Sequence, residues 1–404
     1  MVSVKAVKTS LVEKIKENIE KNKELYISTS HKIHKNPEIG NQEFFASSLL
    51  TELLENEGFS VTKGVAGHDT AFIAKKTSNK AGPTIAFLAE YDALPGLGHA
   101  CGHNIIGTMS TAAAIALSKV LEEVGGEAIV LGTPAEEGGP NGSAKGSFVK
   151  HGLVEGIDAA LMIHPSGKTS LTSPSLAVDP LDFEFFGKSS HAASAPHEGI
   201  NALDAVIQLF NGINALRQHV TDDVRIHGII THGGDAPNII PEYAKARFFI
   251  RASTRNRLNG VTKRVKAIAE AAALATGAKV KITAFQNEVD NLLLNDRFNR
   301  VFQEVIEELG ETVHDLKQGI GSTDAGNISQ VVPTIHPYIK IGPDDLVAHT
   351  DEFREAAVSE RGDYALITGA KALALTALRL IYEPNILAEI KAEFQQRKEL
   401  ENFH

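Results

Sequence analysis

Hydrophobic and polar positions along this chain switch repeatedly between a helical and a strand-like period. From about residue 10 to 57, apolar residues recur at helical spacing, Leu49, Leu50, Leu53 and Leu54 among them, and the pattern stops at Gly58. Residues 59–62 and 70–74 read as short strands. Residues 84–89 are almost continuously apolar, the pattern of a strand buried on both faces of a mixed or parallel sheet. An Ala-rich run over 105–124 predicts a buried helix, and 127–132 and 159–163 predict two more central strands. Strands alternating with helices define an α/β fold with a mixed central sheet, in which ligand sites lie at the carboxyl ends of strands.

The rhythm changes after a Ser/Thr/Pro-containing connector at 170–178. Strands are predicted at 181–186, 224–231, 244–252 and 280–285, with helices at 202–218 and 260–275. That order is a ferredoxin-like βαββαβ unit, able to bury its own core. A helix at 296–309, a strand at 334–341 and a long Ala/Leu helix at 360–383 then resume the first style. The smaller unit is therefore expected as an insertion, with boundaries 1–178, 179–291 and 292–404.

Composition narrows the function. The chain has 404 residues, 43% of them hydrophobic, and a formal net charge of -10, which disfavours nucleic acid or an anionic membrane as partner. No apolar run approaches the ~20 residues that span a bilayer. The N-terminus has no hydrophobic signal core, and a single cysteine excludes an intrachain disulfide framework, so a cytoplasmic location is expected.

That cysteine, Cys101, sits in His99-Ala100-Cys101-Gly102-His103, where Gly96, Gly98 and Gly102 imply close backbone approach. Thiolate and imidazole both suit a borderline-soft divalent metal, and Cys101 and His103 could share one ion or take one each of a pair. An isolated C-x-H reads equally well as a buried thiol beside a structural histidine. Further chemistry follows other apolar runs. Glu136 and Glu137 stand after the strand at 127–132; as neighbours their side chains diverge, so one could ligate a metal while the other takes a proton from water. His164 ends the strand at 159–163 and is fixed by Pro165, and His349 lies in a late Ala-His-Thr-Asp-Glu-Phe loop. The set reads as a metal-dependent hydrolase. His191 in a small-residue turn and the segment around Asn238 look built for ligand contact. Arg251 ends an apolar strand, an expensive place for a cation without an anionic partner. Other histidines, His34 and His336 included, show no partner pattern and read as surface or core residues.

These segments, in this order, resemble the aminoacylase/carboxypeptidase metallopeptidases (peptidase family M20), and within them the amidohydrolase subfamily with a cysteine ligand. The matching stretches are 34–40, 89–104, 134–138, His164-Pro165, 190–196, 238–241, 321–327 and 349–353. The 93–104 form is similar to the branch containing HmrA-type amidohydrolases and aminobenzoyl-glutamate hydrolase subunits. The resemblance implies a zinc-peptidase-like catalytic domain with a two-metal site and an inserted lid through which homodimers or homotetramers form. It implies Cys101, His103, Glu137, His164 and His349 as metal ligands and Glu136 as general base. His191, Asn238 and Arg251 are implied as substrate contacts, His191 reaching the neighbouring subunit's site. Asn104 stands where the subfamily commonly has Asp, which argues against a general aminoacylase substrate range.

The expected activity is hydrolysis of dipeptides or N-acyl or N-aroyl amino acids by a metal-activated water. One or two divalent ions are expected per subunit; a thiolate ligand favours Zn, with Mn or Co as alternatives. A competing reading keeps the fold as a metal-binding but inactive scaffold or ligand sensor, against which Glu136 argues. A Cys101 nucleophile leaves Glu137, His164 and His349 without a role.

Overall fold

The computed structural model describes residues 4–315 and 321–403, which form two compact units. One takes the chain up to Pro174 and from Leu292 to Leu400; the other takes Ser175–Asn291 with the chain end from Glu401.

In the first unit, strands β1 (Ser60–Lys63), β2 (Phe72–Thr77), β3 (Thr84–Ala89), β4 (Glu127–Gly132) and β5 (Ala159–Leu161) form a six-stranded sheet with Thr334–Ile335, in the order β1-β2-β4-β3-β5 and then Thr334–Ile335. β3 runs parallel to both β4 and β5, whereas β2 runs antiparallel to β4 and to β1, so the sheet is mixed. Alternate residues of the central strands enter different cores. Ile85, Phe87 and Ala89 with Ala128 and Val130 join one cluster, and Ala86, Leu88, Ile129 and Leu131 join the other. Burial on both faces is why these strands read as apolar runs. On one face lie His103–Ser118, buried along nearly its whole length, and Glu360–Tyr382. By length and composition the latter helix could cross a bilayer, but Leu366, Leu373, Ala377 and Leu380 are core residues of this unit.

The strand expected at 334–341 is two pieces. Thr334–Ile335 extends the six-stranded sheet, while Tyr338–Lys340 pairs in parallel with β6 (His164–Ser166) in a separate ladder. The break falls at His336-Pro337. Proline has no N–H to give a ladder, and the Pro337 carbonyl instead accepts the amide of His164 at 2.9 Å.

The second unit runs β7 (Ala177–Phe186), helix Ala202–Leu216, β8 (Arg225–His232), β9 (Tyr243–Ala252), helix Arg255–Thr276 and β10 (Lys279–Ala284). The sheet order is β10-β7-β9-β8, all neighbours antiparallel. β9 alternates strictly between buried and half-exposed residues, as a sheet covered on one face does. Ala244, Ala246, Phe248 and Ile250 join Val206, Leu209, Ile213, Leu258 and Val265 of the two helices in a core of their own. β7 begins four residues before its expected start at 181 and carries Pro180 within it. Pairing with β10 starts only at Leu181, so the missing proline N–H breaks no bond to that neighbour.

Candidate metal centre

The carboxyl ends of β3, β4 and β5 are where the chemistry collects. Glu90 and Asp92 follow β3, Glu136 and Glu137 follow β4, and His164 follows β5. His103 opens the helix that returns from β3, and Gly102 caps it in the left-handed conformation (φ 79°). A Cβ on Gly102 would lie 2.8 Å from Pro165 Cγ, so glycine is what lets the cysteine turn close against the His164-Pro165 segment. Cys101 Sγ stands 3.4 Å from His164 Nε2. His164 Nδ1 lies 2.7 Å from the Pro165 carbonyl, which only accepts; the proton is therefore on Nδ1 and the Nε2 lone pair faces the thiol.

Asp92 organises the opposite wall. Its Oδ1 lies 2.9 Å from His103 Nδ1, and its Oδ2 accepts the Glu137 amide at 3.0 Å. The turn after β4 is held by Glu43, whose Oε1 accepts the amide of Ala135 at 2.9 Å, and Ala135 itself has φ 58°. His103 Nε2 is left without a partner, 3.9 Å from Glu136 Oε2 and 4.0 Å from Glu137 Oε1. The adjacent acids, expected to diverge, thus both approach one imidazole nitrogen, because the backbone bends at Ala135 just before them. His349 enters from a loop tied by its amide to the Ala100 carbonyl at 2.9 Å, and its Nε2 is 3.2 Å from Glu137 Oε1. Its φ of 65° is unusual for a non-glycine residue. Thr350 then caps the following helix by accepting the Phe353 amide.

Of three ligand-type groups, two contain Cys101, one with His103 and His164 and one with Glu137 and His349; within each, the donor atoms lie within 4.8 Å of one another. Cys101 belongs to both. The residues fit a pair of soft-to-borderline divalent ions, since thiol, imidazoles and carboxylates converge and the buried His103 Nε2 makes no hydrogen bond.

Burial dominates the electrostatics. It pushes the Cys101 thiol well above the usual range, and Glu137 adds to the shift. Burial, then the charges of Glu90 and Glu137, raise Glu136 well above an ordinary carboxyl. Burial also opposes ionisation of Glu137, but the hydrogen bond from His349 and the charges of His103 and His349 together outweigh it and keep that carboxyl low. Burial lowers His164, and it lowers His336 to about 3. At His103 burial works against the charged form, yet Asp92 and Cys101 together overcome it and the imidazole is raised. In so desolvated a pocket the thiol and Glu136 resist ionisation until a cation meets them.

Residues without a sequence pattern complete the surroundings. His336 is buried and stacked on His164, ring centroids 5.5 Å apart. Lys145, also fully buried, bridges Glu90 and Asp324. Glu90 and Asp92 carried one readable signal, their place directly after the apolar run of β3. Lys145 and His336 carried none.

His191, Asn238 and Arg251 belong to the second unit. Nδ1 of the exposed His191 accepts the amides of Ala193 and Ser194, both at 3.2 Å, so the proton is on Nε2. His191 bridges to Ile239, and the Ala192 amide donates to the Asn238 carbonyl at 3.0 Å, which brings these two predicted residues onto adjoining loops. Arg251 is on β9, its Nε donating to His227 Nε2 at 3.2 Å and its guanidinium 5.3 Å from the Phe249 ring centroid.

Thiol, imidazoles and paired carboxylates at the strand ends of a mixed α/β sheet are the layout of a metal-dependent hydrolase. The chain belongs to peptidase family M20/M25/M40, which matches residues 86–379. It is similar to the Xaa-Arg dipeptidase of Mus musculus, 39% identical over 94% of this chain and 91% of the mouse protein. It is also similar to a component of the p-aminobenzoyl-glutamate hydrolase of Escherichia coli (strain K12), 28% identical over 96% of both chains. Among solved structures, the YXEP protein of Bacillus subtilis, described as a dinuclear metal-binding peptidase from the M20 family, superposes with a TM-score of 0.66 at 19% identity. That match covers 90% of this chain and 99% of the other. The chain is a metal-dependent amide hydrolase acting on C–N bonds, and the reading as an inactive scaffold finds no support.

Proposed function

We propose that this chain is a two-metal dipeptidase whose preferred substrates carry a basic C-terminal residue. Cys101, His103 and His164 are assigned to one ion and Cys101, Glu137 and His349 to the other. The observation that carries this assignment is the sharing of Cys101 by two converging ligand groups. The thiolate favours Zn, with Mn or Co accommodated by the imidazoles and carboxylate. Bound there, the ions would polarise the scissile carbonyl and acidify the attacking water. Glu136 takes the water's proton and delivers it to the leaving nitrogen. It stands beside Glu137 at the turn after β4, with Oε2 3.9 Å from His103 Nε2, within reach of a water held between the ions. His191 donates Nε2–H to the developing oxyanion, and Asn238 and Arg251 bind the substrate, the arginine as partner for its carboxylate.

A cationic substrate side chain is supported by the similarity to the mouse Xaa-Arg dipeptidase and by the formal charge of -10. The exposed acids Asp345 and Glu352, on either side of His349, add to that support. We assign the second unit as a lid through which two copies pair, supported by its exposed edge strand β8, and we assign the enzyme to the cytoplasm.

Metal-loaded enzyme assayed on Xaa-Arg dipeptides, N-acyl amino acids and p-aminobenzoyl-glutamate tests the reading. Xaa-Arg dipeptides are expected to lead in kcat/KM by about tenfold or more, the effect of one recognised charge. Preference for p-aminobenzoyl-glutamate would favour the activity named for the E. coli relative. Hydrolysis of none would overturn the proposal.

A further inference from the structure

Glu90 lies outside the ligand set implied by the sequence, yet its carboxylate faces His103 of that set. Directly after β3, it has no solvent exposure. Its Oε1 accepts a hydrogen bond from Lys145 Nζ at 2.6 Å, and the same ammonium donates to Asp324 Oδ1 at 2.6 Å. Asp324 Oδ2 in turn accepts the Lys145 amide at 3.1 Å, so the lysine is fixed from two directions. Glu90 Oε2 makes no hydrogen bond. It faces His103 Nε2 at 3.4 Å, and that nitrogen is equally buried and likewise makes no hydrogen bond. Glu90, His103 and Glu136 together form a third group whose ligand-type atoms lie within 4.8 Å of one another.

Three features of this arrangement point to a cation. A carboxylate oxygen sealed from water and making no hydrogen bond is a costly thing to build unless something positive meets it. Once His103 gives its Nε2 lone pair to an ion it carries no proton toward Glu90, and the one Lys145 ammonium is then shared by two carboxylates, with Glu90 Oε2 on the side facing His103. The spacing also fits, because donor atoms about 2.1 Å from a tetrahedral ion lie about 3.4 Å from each other.

Resting on the reading of Cys101, His103 and His164 as metal ligands, we propose that Glu90 ligates the ion held by His103 through Oε2. Lys145, clamped by Asp324, is the positioning residue that aims it. A carboxylate added to thiolate and imidazoles makes this the harder of the two sites and raises its tolerance for Mn over Zn.

The experiment uses the full chain loaded with Zn. After dialysis, metal is counted by inductively coupled plasma mass spectrometry, and affinities are read by competition with a chromogenic chelator, for wild type, Glu90→Gln and Cys101→Ser. Thermal unfolding of each metal-free protein reports folding. Glu90→Gln keeps an oxygen for Lys145 but presents an amide to the ion, and it is expected to lose one of the two ions, with affinity for it down about tenfold or more. A crystal structure of the Zn-loaded wild type needs no variant; Glu90 Oε2 is expected about 2.0–2.2 Å from the His103 ion. If Cys101→Ser loses metal while Glu90→Gln holds both ions as tightly as wild type, or Glu90 stands off the ion in the crystal, the Glu90 proposal alone falls. If wild type binds no metal, or Cys101→Ser binds it fully, the ligand set falls and Glu90 with it.

Discussion

Asp92 shows how few groups position this site. One of its oxygens orients His103 and the other takes the amide of Glu137, so a single carboxylate ties the helix start to the turn after β4. Such partners fix the tautomer of a metal-binding histidine and support its basicity. Within that frame Glu136 has no structural task as clear as its chemical one. Glu136→Gln is expected to lower kcat by about 10²–10⁴ while mass spectrometry finds wild-type metal content. Near wild-type turnover in that variant would move the base to another group. Glu43 supports the same turn at a cost. Burial raises its carboxyl to about 7 from an ordinary value of 4.5, so the folded protein holds a proton across that window that the unfolded chain has released. Stability should therefore fall as pH rises from about 4.5 to 7 and level off above it, by up to about 3 kcal/mol. Urea unfolding of the metal-free protein should show this fall in wild type and a smaller one in Glu43→Gln; superimposable profiles would contradict it. Cys101 with His103, and Glu136 with Glu137, were legible because they are sequence neighbours beside glycines and apolar runs. The Glu90–Lys145–Asp324 triad was not, since its hydrogen bonds join residues 55 and 179 positions apart and Lys145 stands in a polar stretch that resembles surface.

At the scale of elements, strands buried on both faces announced themselves, and the site lies at their carboxyl ends. What the pattern hid was a change of sheet within one apolar run. Residues 334–341 look like one strand, but His336-Pro337 hands the chain from the six-stranded sheet to the pairing with β6, and this is how His336 comes to stack on His164. The strand β8 shows the opposite case, apolar residues without cover. It is an edge strand on which Ile229 is 63% and Ile230 45% exposed. An open edge with isoleucines invites pairing with another strand, here assigned to a second copy. Ile229→Lys with Ile230→Lys is expected to shift sedimentation velocity from dimer to monomer with circular dichroism unchanged. A doubly substituted protein that stays dimeric would place the interface elsewhere.

For the whole molecule, the family membership and the two compact units frame the remaining claim, that residues of one copy complete the site of another. If His191 serves the partner's site, inactive Glu136→Gln protein mixed with inactive His191→Ala protein should regain activity. A mixed dimer has one site with both groups intact. Random exchange makes about half the dimers mixed, so recovery should reach about a quarter of wild type. No recovery, once native mass spectrometry shows mixed dimers, would contradict a shared site. The central claim is the metal pair bridged by Cys101, and anomalous diffraction from crystals of the Zn-loaded enzyme tests it most directly. Two anomalous peaks are predicted in each copy of the chain, both about 2.3 Å from Cys101 Sγ, one reached by His103 and His164 and the other by Glu137 and His349. A single peak, or peaks that Cys101 does not touch, would contradict it.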